Sequence, residues 1–282
     1  NLNFELGFDF NTSISRKFND LLISNKFTIK SSNNKKKINN EVSYIETIPE
    51  HLKKYFPKIV DKGDNFYKMQ TISGSIYSDL YINNCLNISH IKNILHVLDD
   101  FHKCRVKKTD KINDLNIYSN YNNKFNERIK LIAPKLKKQN NDYFNRIGQY
   151  LKIYEKNNLG KFGVIHGDPV FSNIFYTNRN IKLIDPRGCI GEIKTIYGDI
   201  FYDYAKIYQS ISGYDSIVNY KEKVVINYNI KKQFELLFKK KFSEKQFKFL
   251  KYITASLYIS LIPLHDEENS VKFINLSKKI FK

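Results

Sequence analysis

The 282-residue sequence has no tryptophan, one methionine, six prolines, eleven glycines and three cysteines. Cys85, Cys104 and Cys189 are odd in number, widely spaced and free of any CxxC pair. That excludes a disulfide framework and a zinc knuckle, and fits a reducing cytoplasm. There is also no run of about 20 apolar residues, which argues against a membrane span. The longest candidate, Ile253 to Leu264, is short and carries Thr254, Ser256 and Ser260. Residues 1–10 hold neither a basic leader nor a small-residue cleavage site. Residue 1 is asparagine, so sequence preceding it is left open.

Arginine is scarce as well. Of 47 basic residues only six are arginines: Arg16, Arg105, Arg128, Arg146, Arg179 and Arg187. A formal net charge of +19 raises the question of nucleic acid. However, the abundant residues Lys, Asn, Ile and Tyr share A/T-rich codons, so genome composition is the simpler cause. The lysines are scattered apart from Lys35–Lys37 and Lys239–Lys241. They read as solvated helix faces, and no specific nucleic-acid partner is expected. A nucleic-acid role would show itself by a steep salt dependence of binding. The charge remains a hint that a substrate or product is anionic.

What the chain does have is a 41% hydrophobic content, enough for a real core, with no internal repeat or low-complexity linker. The first 70 residues read as strands and turns around one helix. Strands are expected at Asn3–Phe8, Lys26–Lys30, Lys58–Asp61 and Phe66–Gln70, with a small-residue turn from Asn11 to Ser15. A helix from Lys35 to Thr47 places Ile38, Val42 and Ile45 on one face, with Pro49 just beyond. After Gly74 helical stripes dominate: Ile88 to His102, Phe125 to Leu136, Tyr143 to Tyr154 and Phe247 to Leu261. Short strands interrupt them at Phe162–Ile165, Ile174–Tyr176 and Ile181–Ile184.

The densest motif runs Val164-Ile165-His166-Gly167-Asp168-Pro169-Val170-Phe171-Ser172-Asn173-Ile174, then Leu183-Ile184-Asp185-Pro186-Arg187-Gly188. Phosphoryl transfer needs charge stabilisation on phosphate oxygens, hard oxygen ligands for Mg²⁺, and a carboxylate to orient the acceptor hydroxyl. Asp168, just after an apolar strand, can sit at the front of a cleft. Asn173 can turn back toward it, and a strand pair can return Asp185 to the same place.

This pattern, HxDxxxxN followed by a hydrophobic strand and Asp, resembles the catalytic and metal loops of the aminoglycoside phosphotransferase and choline kinase group, within the protein-kinase-like superfamily. The resemblance implies an α+β, two-lobed fold, with a β-rich nucleotide-binding lobe over residues 1–72 and a larger helical lobe over 73–282. It implies Asp168 as catalytic base, Asn173 and Asp185 as magnesium ligands, and His166 as organiser of the loop. Gly198-Asp199 and Asp203-Tyr204-Ala205 are similar to the family's next helix, where Asp203 is expected to hold the catalytic loop. Toward the N-terminus, Lys30 fits the lysine that meets the ATP phosphates and Glu41 the glutamate that orients it. Backbone amides near Ser13 and Ser15 stand where the family has a glycine-rich turn, and Gln70 to Ser73 where its hinge meets the adenine.

The acceptor is less constrained. Gly167 replaces the arginine of protein kinases, and about a dozen residues separate Asp185 from the next helix, which favours a small molecule over a peptide. Arg187, in an arginine-poor chain, would suit a carboxylate or phosphate. His265 and Asp266 are expected at the far wall of the pocket; their alternative is a helix end. The reading is an ATP- or GTP-dependent, Mg²⁺-assisted kinase of a sugar, sugar derivative or amino alcohol, for surface-polysaccharide or lipid-headgroup synthesis. The alternative is a catalytically silent kinase-like module that binds a nucleotide or a partner.

Overall fold

A computed structural model of the chain describes residues 12–16, 19–104, 115–178, 180–220 and 224–282. The strand expected at Asn3–Phe8 lies outside them. The first region is a five-stranded antiparallel sheet of β1 (Thr12–Arg16), β2 (Asn19–Ile23), β3 (Phe27–Ser31), β4 (Ile59–Lys62) and β5 (Phe66–Gln70). Its order is β1-β2-β3-β5-β4. The expected turn at Asn11–Ser15 is corrected here. Thr12 to Arg16 form a strand, with Ser13 opposite Leu22 and Ser15 opposite Asp20. Thr12 and Ile14 are β-branched and suit a pleated strand, a preference that the small serines around them obscure.

Between β3 and β4 lie α1 (Lys35–Thr47) and the short α2 (Glu50–Lys53). Asn34 starts α1 by accepting the Lys37 amide at 3.1 Å. The helix is rooted in two cores. Ile38 and Val42 pack with Tyr67 and Met69 of β5, whereas Tyr44, with Ile48 just beyond the helix, joins the core of the large region. Tyr44 also donates from its hydroxyl to the Ile165 carbonyl at 2.7 Å. The chain crosses over after β5, because Ser75 of β6 (Ser75–Ile76) already pairs with Tyr176.

The large region contains α3 (Tyr77–Ile82), α4 (Ile88–His102), α5 (Asn122–Lys130), α6 (Pro134–Gln139) and α7 (Asn141–Lys156). The helix expected from Phe125 to Leu136 is in fact two, because Pro134 opens α6 at its first position and lacks the N–H that would continue α5. Three small sheets follow. β7 (Phe162–Val164) pairs with β12 (Tyr197–Asp199), β8 (Ile174–Thr177) with β9 (Asn180–Leu183), and β10 (Cys189–Ile190) with β11 (Ile193–Lys194).

The chain ends with α8 (Ile200–Ile211), α9 (Tyr214–Tyr220), α10 (Tyr228–Lys241), α11 (Glu244–Ile259) and α12 (Glu267–Phe281). Every residue of α8 is buried, so it is the spine of this region. Among the described residues, Glu244–Leu264 is the one helical stretch apolar and long enough to cross a membrane. In this fold it is a core element, packed against α7, α8 and α12.

The two regions are sewn together next to the central motif. The Leu183 amide donates to the Tyr55 carbonyl at 2.7 Å, and the Lys182 ammonium to the Lys54 carbonyl at 2.7 Å. Gly188, at φ +64°, lies so close to α1 that a Cβ there would collide with the Asn40 carbonyl. Gly188→Ala is expected to lower unfolding free energy by roughly 2–4 kcal/mol, from left-handed strain plus the clash. Urea denaturation, compared with the same change at the uncrowded Gly191, checks this.

Candidate active site

The loop after β7 is held by Asp203, a fully buried residue of α8. Its carboxylate accepts the His166 amide at 2.9 Å and the Gly167 amide at 2.8 Å. A third contact, 3.1 Å, reaches Nε2 of His102 at the end of α4. His166 is wholly buried and stacks on Phe56 with a centroid separation of 5.9 Å. Burial keeps its imidazole below the usual histidine range, despite the nearby carboxylates of Asp203 and Asp168. It therefore packs and orients. Gly167 takes φ +83°, and a Cβ there would sit 2.7 Å from the Arg187 Cβ.

Asp168 follows at the cleft. Past it the chain makes one 3-10 turn, Phe171–Asn173, whose amides are tied down from α8 and α9. Phe171 donates to the Ser210 hydroxyl at 2.9 Å, and Ser172 to the Asp215 carboxylate at 3.1 Å. Asp215 is buried, and burial pushes its carboxyl up to about 7 against the hydrogen bonds from Ser210 and Ser172. The turn points Asn173 back, its Nδ2 donating to the Asp168 carbonyl at 2.9 Å. The Ile184 amide donates to the Asn173 carbonyl at 3.0 Å, which brings in Asp185 with φ +58°.

Lys30, opposite Tyr67 in the sheet, reaches across with its ammonium. It lies 2.7 Å from Glu41 Oε2 and 2.7 Å from Asp185 Oδ1, while the Tyr67 hydroxyl donates to Glu41 at 3.0 Å. Lys30 is 1% exposed; burial opposes its charge, but Asp185 and Glu41 hold it above the usual lysine range. Lys30, Glu41, Asp168, Asn173 and Asp185 are thus brought together from β3, α1 and the two loops. A cavity of about 380 Å³ opens beside them, lined by Lys37, Glu41, Asp168, Asp185 and Arg187 among others. A larger one, about 720 Å³, lies behind α1 and contains none of these five.

The other residues singled out in the sequence lie elsewhere in the structure. The Gln70 amide donates to the Lys58 carbonyl at 3.0 Å and the Thr71 amide to Lys26 at 3.0 Å, so both donors are used inside the sheet. Gln70 lines the rear cavity instead. Ser13 and Ser15 lie in the edge strand β1, paired with β2. Asp266 caps α12, accepting the Asn269 amide at 2.8 Å, and His265 packs edge-on to Phe273. Neither lines the cleft that holds Asp168.

The sequence reading also missed Lys206, His102 and Asp215. Lys206 of α8 pairs with Asp168 at 3.0 Å. Its signal was spacing, since it stands one helical turn after Asp203 on the same face. Burial works against ionisation of Asp168, but Lys206 and then Arg187 pull its carboxyl down to about 2.

The oxygens suit a small hard cation. The Asn173 amide nitrogen is turned to the Asp168 carbonyl, which directs its carboxamide oxygen the other way, and Asp185 has given one oxygen to Lys30. Among the described residues no group of three or more His, Cys, Asp or Glu forms a cage. Two protein oxygens, completed by phosphate and water, match Mg²⁺ better than a metal that demands an all-protein site.

No protein-family model matches the sequence, and no curated protein matches it. Solved structures do share its shape. Choline kinase LicA from Streptococcus pneumoniae superposes with a TM-score of 0.63 at 12% identity, over 99% of this chain and 97% of that one. An aminoglycoside phosphotransferase in complex with GDP and kanamycin gives 0.67 at 11% identity, over 99% and 96%. A choline/ethanolamine kinase family protein from Mesorhizobium loti gives 0.64 at 9% identity, over 96% and 87%. At these identities the likeness establishes the fold. It is the two-lobed, protein-kinase-like architecture of choline kinases and aminoglycoside phosphotransferases.

Two substitutions test what holds the site. Asp203→Ala leaves two buried amides without an acceptor and should lower stability by roughly 2–5 kcal/mol. Lys30→Met leaves Glu41 and Asp185 facing each other uncompensated and should cost about 3–5 kcal/mol. Chemical denaturation measures both, and restoring Lys30 as arginine should recover part of the second loss.

Proposed function

We propose that this protein is a nucleotide-dependent kinase that phosphorylates a hydroxyl of a small molecule, assisted by Mg²⁺ and working in the cytoplasm. One observation carries the reading: Lys30, Asp168, Asn173 and Asp185 converge on one cleft, in a fold shared with small-molecule kinases. Nucleotide use is supported by the GDP bound to one structural neighbour. A small acceptor is supported by the short β10–β11 hairpin between Asp185 and α8, where a peptide-binding segment would otherwise stand. The cytoplasmic assignment rests on three unpaired cysteines.

The chemistry follows from the positions. The acceptor hydroxyl donates its hydrogen bond to the Asp168 carboxylate, and its oxygen attacks the γ-phosphorus. The bond from that phosphorus to the nucleoside diphosphate oxygen breaks, and the diphosphate leaves with the electron pair. The hydroxyl proton passes to Asp168 and on to solvent. Asp168 is a weak base, so it orients the hydroxyl first and takes the proton only as the new P–O bond forms. Lys30, held by Glu41, places the nucleotide phosphates. Asn173 and Asp185 would hold the Mg²⁺, which supplies charge neutralisation on the phosphate oxygens.

Turnover of ATP and GTP with Mg²⁺ over a panel of sugars, amino alcohols and their phosphates is the direct test. Asp168→Asn should reduce acceptor-dependent turnover by about 10³-fold while nucleotide affinity stays within about twofold. Nucleotide binding without turnover of any acceptor would favour the silent module.

A second expectation concerns pH. The Asp168 carboxyl is depressed from 3.8 to about 2, so its pairing with Lys206 stabilises the fold above 3.8 and loses that effect as pH falls toward 2. The gap in melting temperature between wild type and Asp168→Asn should therefore be constant from pH 8 to 5 and close only below 3.8.

A further inference from the structure

Asp168 shows the cleft only one of its two oxygens. The side chain as a whole is 35% exposed, yet its Oδ1 is shut off from solvent. That oxygen lies 3.0 Å from the Lys206 ammonium, whose side chain is 10% exposed. Among the described residues Lys206 has no other carboxylate partner. Its place is set by α8, the buried spine. Three residues earlier on the same face, Asp203 accepts the His166 and Gly167 amides. One rigid helix therefore grips the loop twice, at its backbone and at its carboxylate. The Tyr202 ring, one turn before Lys206, lies 6.0 Å from the ammonium and 4.9 Å from the Arg187 guanidinium. Arg187 donates from Nε to the Gly167 carbonyl at 3.2 Å. The residue before Asp168 is thereby held by both its amide and its carbonyl.

Stability alone does not account for Lys206. An ammonium taken out of water is expensive, and a carboxylate one-third exposed is served by water instead. What a buried ammonium adds is direction. A carboxylate turns about its last torsion between broad, two-fold wells, so an untethered aspartate presents either oxygen over a range of angles. We propose that Lys206 is the positioning residue of the transfer: it holds Oδ1 inward so that Oδ2 alone meets the acceptor hydroxyl, in one fixed orientation. The proposal rests on the kinase reading and adds no proton transfer of its own. The hydroxyl proton still passes to Asp168, at Oδ2, and Lys206 acts through that carboxylate. A misplacement of about 1 Å at such a group costs on the order of 10²-fold in rate.

Steady-state kinetics of the whole chain, with the acceptor found by the turnover screen, test it. Lys206→Met should lower kcat about 100-fold and leave the nucleotide Kd and the acceptor KM within about twofold, because the lost orientation matters only as the new bond forms. Lys206→Arg, which still places a cation on Oδ1, should recover kcat to within about tenfold of wild type. In an Asp168→Asn background, Lys206→Met should change the residual rate by less than about twofold, since a residue that acts through Asp168 has nothing left to aim. Should Lys206→Met fail to fold, Lys206→Gln takes its place in each comparison.

A crystal structure of the same variant separates this proposal from the kinase reading. The Asp168 carboxylate should be rotated or in two rotamers, with the His166 and Gly167 amides still on Asp203. A carboxylate that stays in place overturns the proposal. So does an unchanged kcat, or a loss of the same size when Asp168 is already asparagine. If the wild type turns over no acceptor, the kinase reading falls, and the crystal structure alone decides whether Lys206 aims Asp168.

Discussion

Asp203 is the constraint on which the site rests. The loop that carries Asp168 has backbone amides with no ladder partner, and buried unpaired amides are costly. One fully buried carboxylate answers two of them, His166 and Gly167, and contacts His102 of α4 as well. Because α8 is buried along its whole length, the loop inherits the rigidity of the spine instead of the mobility of a surface turn. Lys206, one turn further on, uses the same rigid helix to fix the Asp168 charge.

Sheet and spine meet at α1. Its N-terminal half packs under the small sheet, its C-terminal half enters the main core, and Tyr44 hydrogen-bonds the Ile165 carbonyl at the start of the Asp168 loop. A division of the chain at residue 72 therefore separates the strands but not the packing. The rear cavity is a by-product of the same arrangement, formed where α1, the residues after it and β4 leave space beside the sheet.

Much of this could be read from the sequence, and the reason is density of local signal. The stretch 164–205 carries the motif on which the family resemblance rests, and that resemblance pointed to Asp168, Asn173, Asp185 and Asp203; the structure sets the Asn173 amide on the Asp168 carbonyl and the Asp203 carboxylate under the same loop. Lys30 and Glu41 were legible because a strand and a capped helix place them in order, and the structure sets them 2.7 Å apart. What escaped depends on distant partners. Nothing local says that Lys206 reaches Asp168, or that His102, on an ordinary apolar stripe, turns one edge toward Asp203. Gln70, the last residue of β5, gives its amide to the Lys58 carbonyl, a register detail that no composition reveals. The β1 segment failed because small residues look alike in a turn and in a strand.

The Lys30–Asp185 pair has a consequence of its own. Both groups are ones that a metal–nucleotide complex would claim, and in its absence each is the counter-ion of the other. Such a pair works as a placeholder. On the proposed function, Asp185 would hold a cation in place of the ammonium and Lys30 a phosphate in place of the carboxylate, so the exchange would be nearly isoelectric and the lysine would not be left buried alone. A nucleotide without its metal would offer only half of that exchange, stripping Lys30 from Asp185 and stranding the carboxylate. On that reading, the resting pair would favour a metal and a nucleotide that bind together over either alone.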